Sequence, residues 1–311
     1  MAKKKQRSKR ITFLIYLLSI IIVCIIVFNI ILSLKAENIA NEINIIHNEY
    51  AELEKELENK NNDLTEIDEQ TKIIINIDDN IAEIKKEYFS NIKTLEDKIL
   101  ASESDKKIAY LTFDDGPYYL SYKYLEVLDK YDVLATFFTI GNNKEVCYDN
   151  KSANCYLLYN EEAKRGHTMA NHTFSHGIFR GLYSSPTNFI EQVKKQEELI
   201  RNQTGVTTNI VRFPGGSATA GKYKNAIIEL LRANGYGWVD WTAATGDGGS
   251  LASADQAWNN FVNSIDSNIE VILMHDYNHY TLEILPKEIE YLKENGYSLF
   301  PLFYESNMVN K

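Results

Sequence analysis

From residue 107 onward, short runs rich in β-branched and aromatic residues alternate with longer stretches of helical periodicity, and this alternation limits the possible folds most. The strand candidates are 108–113, 134–140, 167–171, 209–213, 237–241, 270–274 and 298–303. Helical patterns cover 119–131, 187–203, 222–234, 254–266 and 282–295. Gly205, Gly235 and Gly296 stand where helices should stop, because glycine enters the left-handed C-cap conformation without a Cβ clash. Strands that alternate with helices run parallel and are joined by right-handed crossovers. The expected class is therefore α/β, a distorted (β/α) barrel of about seven strands. In such barrels reactive groups collect at the C-terminal ends of the strands, so the strand ends are where chemistry should be found.

The first strand ends in Thr112-Phe113-Asp114-Asp115-Gly116-Pro117. Adjacent carboxylates at a strand end point different ways, so one can hold a metal while the other meets substrate. Acid pairs are also common on solvated surfaces, but the Gly-Pro that follows fixes a tight turn. The third strand ends in His172-Thr173-Phe174-Ser175-His176. Histidines four apart share one face of a helical turn. With Asp115 they make a donor set that suits zinc and leaves positions open for water. The histidine spacing alone is a weak signal; the neighbouring acid pair strengthens it. The fourth strand ends in Arg212-Phe213-Pro214-Gly215-Gly216. An arginine can keep a nearby carboxylate ionised, and glycines let backbone approach a ligand. The sixth ends in Leu273-Met274-His275-Asp276 and puts another titratable group on the same face.

In this order and at these spacings the segments resemble the polysaccharide deacetylase family, carbohydrate esterase family 4 or NodB homology domain, over residues 107–303. Ala135-Thr136-Phe137-Phe138 and Gly166-His167 are also similar to the family. The resemblance implies Asp114 as general base and Asp115, His172 and His176 as ligands of a divalent metal, usually zinc. It implies Arg212 as the group that orients Asp114, and His275 as general acid. The chemistry agrees with these roles. An amide is a poor electrophile with a poor leaving group, so its hydrolysis needs a base for water, an oxyanion donor and a proton donor on the far side. The metal and a backbone N–H near Gly215 are expected to stabilise the oxyanion. Tyr118 and Trp241 sit beside the motifs, where an aromatic ring can stack on a sugar.

One segment departs from the family. Its fourth motif usually holds two aspartates three apart followed by Trp, after an earlier Trp. Here it reads Asp240-Trp241-Thr242-Ala243-Ala244-Thr245-Gly246-Asp247-Gly248. With Trp241 in the earlier Trp position, Ala244 replaces the first aspartate, which in the family supports the catalytic histidine. Gly248 replaces the second Trp. Asp247 and Asp240 are the two acids that could take over the support of His275.

The N-terminal third reads differently. Residues 1–10 hold six basic residues and no acid; in a chain of formal net charge −10 this leaves −16 on the remainder. An acidic body argues against nucleic acid as a partner, because phosphates would repel it. Residues 11–34 are 24 residues without a charge, long enough for a transmembrane helix and too long for a signal-peptide core. The basic tail should stay cytoplasmic, which places the rest outside the cell as a single-pass membrane protein. Residues 35–104 lack Pro and Gly through residue 100 and repeat apolar residues at threes and fours. That is the mark of a coiled-coil stalk, which could pair as a homodimer; a helical hairpin is the alternative. Residues 105–311 then form the catalytic domain. Outside the cell Cys147 and Cys155, eight apart, are free to form a disulfide.

The expected activity is removal of N-acetyl groups from N-acetylglucosamine in a cell-wall glycan, peptidoglycan above others because of the topology. An O-acetyl polysaccharide esterase is the alternative, since an ester needs less help at its leaving group. A catalytically weak glycan-binding or scaffold protein is a third reading, supported only by Ala244. His47, His167 and His279 are read as solvated or structural.

Overall fold

A computed structural model describes residues 83–142 and 155–304. The basic tail 1–10, the apolar run 11–34, stalk residues 35–82, His47 and Cys147 lie outside the described residues. Among the described residues no helix is long and apolar enough to cross a membrane. Residues 83–100 are helical. The chain divides into two compact units, Met1–Asn91 and Ile92–Lys311. Among the described residues, the second carries every strand. Its helical residues 92–100 bury Ile92, Glu96 and Ile99, and Glu96 accepts a hydrogen bond from the Tyr110 hydroxyl.

The unit is built from β1 (Lys107–Asp114), α1 (Ser121–Lys130), β2 (Thr136–Thr139), α2 (Cys155–Lys164), β3 (Thr168–Asn171), α3 (Pro186–Thr204), β4 (Ile210–Val211), α4 (Lys224–Ala233), β5 (Gly237–Trp238), β6 (Ala243–Ala244), α5 (Ala254–Ser264), β7 (Ile269–His275), α6 (His279–Glu294) and β8 (Tyr297–Leu299). Every strand pairing is parallel, in the order β5-β4-β3-β2-β1-β7-β6, with β8 also on β1. The sheet curls into a half-barrel. Among the described residues its end strands do not pair with each other, so the half-barrel stays open.

β1 is the axis. One edge lies along β7 from Ile108↔Ile269 to Asp114↔His275. The other is shared by β8 at residues 107–109 and β2 at residues 112–114. Residues 108–114 are all buried, as expected for a parallel strand covered on both faces. One core cluster joins β1 and β7 to α1, α5 and α6 through Phe113, Leu125, Phe261 and Leu285. Another joins β4 and β5 to α3 and α4 through Phe189, Val211, Phe213 and Leu231. Capping follows local sequence. Ser185 accepts from the Asn188 N–H at the start of α3, Pro186 takes the first turn, and Gly205 closes the helix at φ +73°.

Three expectations need correction. The strand at 237–241 shrinks to Gly237–Trp238, and a separate β6 follows at Ala243–Ala244, two alanines with little strand propensity. A helix, α2, also forms over Cys155–Lys164, where the periodicity assigns no element. His279 opens α6 rather than lying in a loop, because Asn278 accepts from the Tyr280 and Thr281 N–H groups and starts the helix early.

Candidate active site

Sheet register brings the site together. Asp114 is the Cα partner of His275 on β7. On the other side the Asp115 N–H donates to Phe138 O at 3.1 Å, the His172 N–H to Thr139 O at 3.0 Å, and the Arg212 N–H to Asn171 O at 2.9 Å. Four strand ends therefore present His275, the Asp114–Asp115 pair, His172 and Arg212 in one row.

At its centre lie Asp115, His172 and His176. Asp115 Oδ1 is 3.6 Å from His172 Nε2 and 3.3 Å from His176 Nε2. One donor atom from each of the three falls within 4.8 Å of the others. Ligands about 2.0–2.2 Å from a tetrahedral zinc stand roughly 3.3–3.6 Å apart, so this donor set fits a divalent ion. The protonation of His172 fits too. Its Nδ1 donates to Arg212 O at 2.9 Å, which leaves the Nε2 lone pair facing Asp115. Burial, with His176 adding to it, pushes the imidazole down to about 3, so it stays neutral. Asp115 and His176 hold φ of +72° and +47°, conformations that cost non-glycine residues about 1–3 kcal/mol each and gather at functional sites.

Asp114 flanks the cluster, its Oδ2 3.5 Å from His172 Nε2. Burial raises its carboxyl, and Arg212 with His275 pull it back. Arg212 is fully buried. It donates to Asp114 Oδ1 at 2.8 Å, Thr112 Oγ1 at 2.7 Å, Val239 O at 3.3 Å and Asp240 O at 3.0 Å. Its guanidinium lies 4.1 Å from the Phe138 ring centroid. The arginine is locked, and Asp114 with it.

His275 flanks the other side, its Nε2 3.8 Å from Asp115 Oδ2. The structure chooses between the two acids left open by the sequence. Asp247 Oδ1 lies 2.8 Å from His275 Nδ1, and Asp247 Oδ2 accepts from the His275 N–H at 2.8 Å and the Thr281 hydroxyl at 2.7 Å. Asp240 instead turns to Ser217 and accepts from its N–H at 2.9 Å and its hydroxyl at 2.6 Å. Burial lowers the His275 imidazole, but the hydrogen bond and charge of Asp247, with Asp115 and Asp114, outweigh it and raise it to about 9. Ala244 therefore does not leave His275 unsupported. Nor is there room for a side chain at Gly248: a Cβ there would lie 2.6 Å from His275 Cε1.

Gly215 is at φ +73° on the β4 side. The Gly216 N–H is committed to Phe213 O at 2.8 Å, and Trp241 packs over Gly216, whose Cβ would meet its Cη2 at 3.0 Å. Tyr118 packs against Tyr277 with tilted rings 5.6 Å apart, and Tyr277 against His275 in the same way at 5.1 Å. Tyr277 and Thr281 escaped sequence reading; being adjacent to a motif was the only available signal for the first. His167 is structural: its Nδ1 accepts from the Ala135 N–H at 3.1 Å, and burial holds it neutral at about 3. Cys155 lies at the start of α2, while Cys147 is outside the described residues.

A carboxylate and two imidazoles grouped for a divalent ion, with a second carboxylate on one side and an acid-supported histidine on the other, form a hydrolase type of site on a curled α/β sheet. The comparisons make the class specific. Residues 101–239 match the polysaccharide deacetylase family model. A peptidoglycan-N-acetylglucosamine deacetylase of Bacillus cereus is 31% identical over 210 residues, 65% of this chain and 71% of that protein. The catalytic domain of a peptidoglycan N-acetylglucosamine deacetylase from Eubacterium rectale superposes with TM-score 0.60 and 33% identity, covering 66% of this chain and 93% of that one. The polysaccharide deacetylase Bc1974 from Bacillus cereus does so with TM-score 0.58 and 31% identity, covering 66% and 97%. The chain belongs to the polysaccharide deacetylase family.

Proposed function

We propose that the protein is a divalent-metal hydrolase that removes N-acetyl groups from N-acetylglucosamine residues of a cell-wall glycan, peptidoglycan in the first place. The observation that carries this is the arrangement of Asp114 and His275 on either side of the Asp115–His172–His176 cluster. A zinc-type ion held by those three groups would polarise the acetyl carbonyl and acidify the attacking water.

The chain's own residues supply the rest. Asp114, held by Arg212, takes the proton from water. The backbone N–H at Gly215 donates to the developing oxyanion. His275, kept protonated by Asp247, hands a proton to the amine as the C–N bond breaks. The products are acetate and a glucosamine unit that becomes a cation. Tyr118 and Trp241 offer apolar faces to sugar rings on the two rims. The support of His275 removes the reason to prefer an ester, whose leaving group needs less help. Peptidoglycan as substrate is favoured by the names of the relatives and by residues 1–34, whose composition would place the domain outside the cytoplasmic membrane.

The test is direct. Purified full-length protein with zinc should release acetate from peptidoglycan or N-acetylated chitooligosaccharides, and more slowly or not at all from O-acetylated xylan. Asp114→Asn should lose at least about 10²-fold of that activity, the scale of one acid–base residue. Absence of acetate from every N-acetylated glycan would defeat the reading.

A further inference from the structure

One buried carboxylate outside the groups assigned above touches both halves of the site. Asp276 follows His275 at the end of β7 and is fully buried. Its Oδ2 accepts from the Ser121 hydroxyl. Ser121, the buried first residue of α1, in turn accepts the Tyr118 N–H at 2.7 Å. The same carboxylate lies directly over Gly116. A Cβ built there would sit 2.8 Å from Asp276 Oδ1 and 2.9 Å from Cγ, closer than real Cβ atoms approach. Gly116 has no positive φ, so backbone conformation does not call for glycine at this position; the neighbouring carboxylate does. Gly116 O also accepts from the Ile140 N–H at 2.9 Å, which ties the same turn to the end of β2.

A carboxylate removed from water is costly unless its contacts compensate. Here its side-chain hydrogen bond runs to Ser121 at the start of α1, whose hydroxyl accepts from Tyr118 in the turn that follows Asp115. Pairing with β7 sets the separation of Asp114 and His275 and ends there; Asp115, at φ +72°, is held from the β2 side by its N–H on Phe138 O, but strand pairing does not tie it to β7.

We propose that Asp276 is a positioning residue: through Ser121 and the bare Cα of Gly116 it fixes the turn 115–118 against the end of β7 and thereby sets the distance between Asp115 and His275. The kinetic consequence rests on the deacetylase reading; the structural one does not. Glycine at 116 is then required by Asp276, and the two positions must behave as one unit.

The experiment uses the full-length protein and two readouts. In the first, Asp276→Ala, Ser121→Ala and Gly116→Ala each lower kcat for acetate release by about 10–100-fold, the scale of a misplaced catalytic group, with KM within about 3-fold. Asp276→Asn keeps the shape and the acceptor and stays within about 5-fold of wild type. Groups in one network are non-additive, so Gly116→Ala/Asp276→Ala and Ser121→Ala/Asp276→Ala fall no more than about 2-fold below Asp276→Ala alone. In the second, amide hydrogen exchange at Ile140 quickens at least about 10-fold in Asp276→Ala and Ser121→Ala while the β1 amides keep their protection.

Several results would overturn the proposal: full additivity of the double variants, a kcat for Asp276→Ala within about 3-fold of wild type well below its melting point, or unchanged exchange at Ile140. If Asp276→Ala fails to fold, Ser121→Ala and Asp276→Asn decide. Wild-type activity with wild-type exchange in Ser121→Ala refutes the tie. If the wild-type protein releases no acetate, the deacetylase reading alone falls, and the exchange data still decide whether the tie exists.

Discussion

Replacing Asp247 by asparagine tests how the site keeps its acid protonated. Asp247 places one oxygen 2.8 Å from His275 Nδ1 and the other 2.8 Å from the His275 N–H. His275 is 8% exposed. Burial lowers its pKa, yet the pKa stands at about 9 instead of 6.5. At 1.36 kcal/mol per unit this gap is worth about 3 kcal/mol in favour of the imidazolium, net of desolvation. Asp247 is the largest of the groups that raise it. Without that charge desolvation prevails, and the pKa should fall to 6.5 or below. The protonated fraction at pH 7.5 then drops from roughly 97% to under about 10%, a loss of at least about 10-fold in kcat at that pH from this cause alone.

The assay is acetate release between pH 5 and 10. An ion on Asp115 neutralises part of the charge facing Nε2, so the alkaline limb of the loaded enzyme lies below 9. The difference between wild type and variant survives, because Asp247 faces the opposite nitrogen. The alkaline limb of kcat in Asp247→Asn should move down by two units or more. An unmoved limb refutes His275 as the proton donor. Stability follows the same linkage. His275 has a folded pKa raised above its unfolded value, so its contribution is complete below about 6.5 and is lost as pH rises through about 9. Metal-free wild type should therefore lose stability across that window in chemical denaturation, and Asp247→Asn should lose much less.

Arg212→Met leaves Asp114 buried without its partner. Breaking such a pair costs about 3–5 kcal/mol, which at about 2–4 °C per kcal/mol for a domain of this size lowers Tm by roughly 6–20 °C in a thermal melt; a shift under about 2 °C would mean the arginine is not needed for folding. His172→Ala and His176→Ala each remove one of three donors. Zinc measured by elemental analysis after dialysis should fall from about one per chain to near zero, and retained stoichiometric zinc would place the ion elsewhere.

Much of the site could be read from the chain because strand-end position is a local property. Asp115, His172, His176, Arg212 and His275 each follow a run whose composition marks it as a strand, and the handedness of parallel crossovers sends those ends to one face. The 3.6-residue pattern likewise located α1, α3, α4, α5 and most of α6. What escaped has little or no local signature. β6 is two alanines, and its pairing with Ile272 and Leu273 on β7 depends on a partner nearly thirty residues away. The missing family aspartate at Ala244 suggested a weakened histidine, since sequence alone could not show that the turn after β6 brings Asp247 under His275 while Asp240 turns to Ser217.

The sequence by itself determined the class of fold, the family and the identity of the groups that can hold a metal, because periodicity, composition and strand-end position all act within a few residues. Only the tertiary structure decided which acid supports His275, how Arg212 is locked, and why residue 116 must be glycine. Those outcomes depend on which buried donors and acceptors meet across 27 to 155 residues of chain, and on the space left between them, and neither is written in any local pattern.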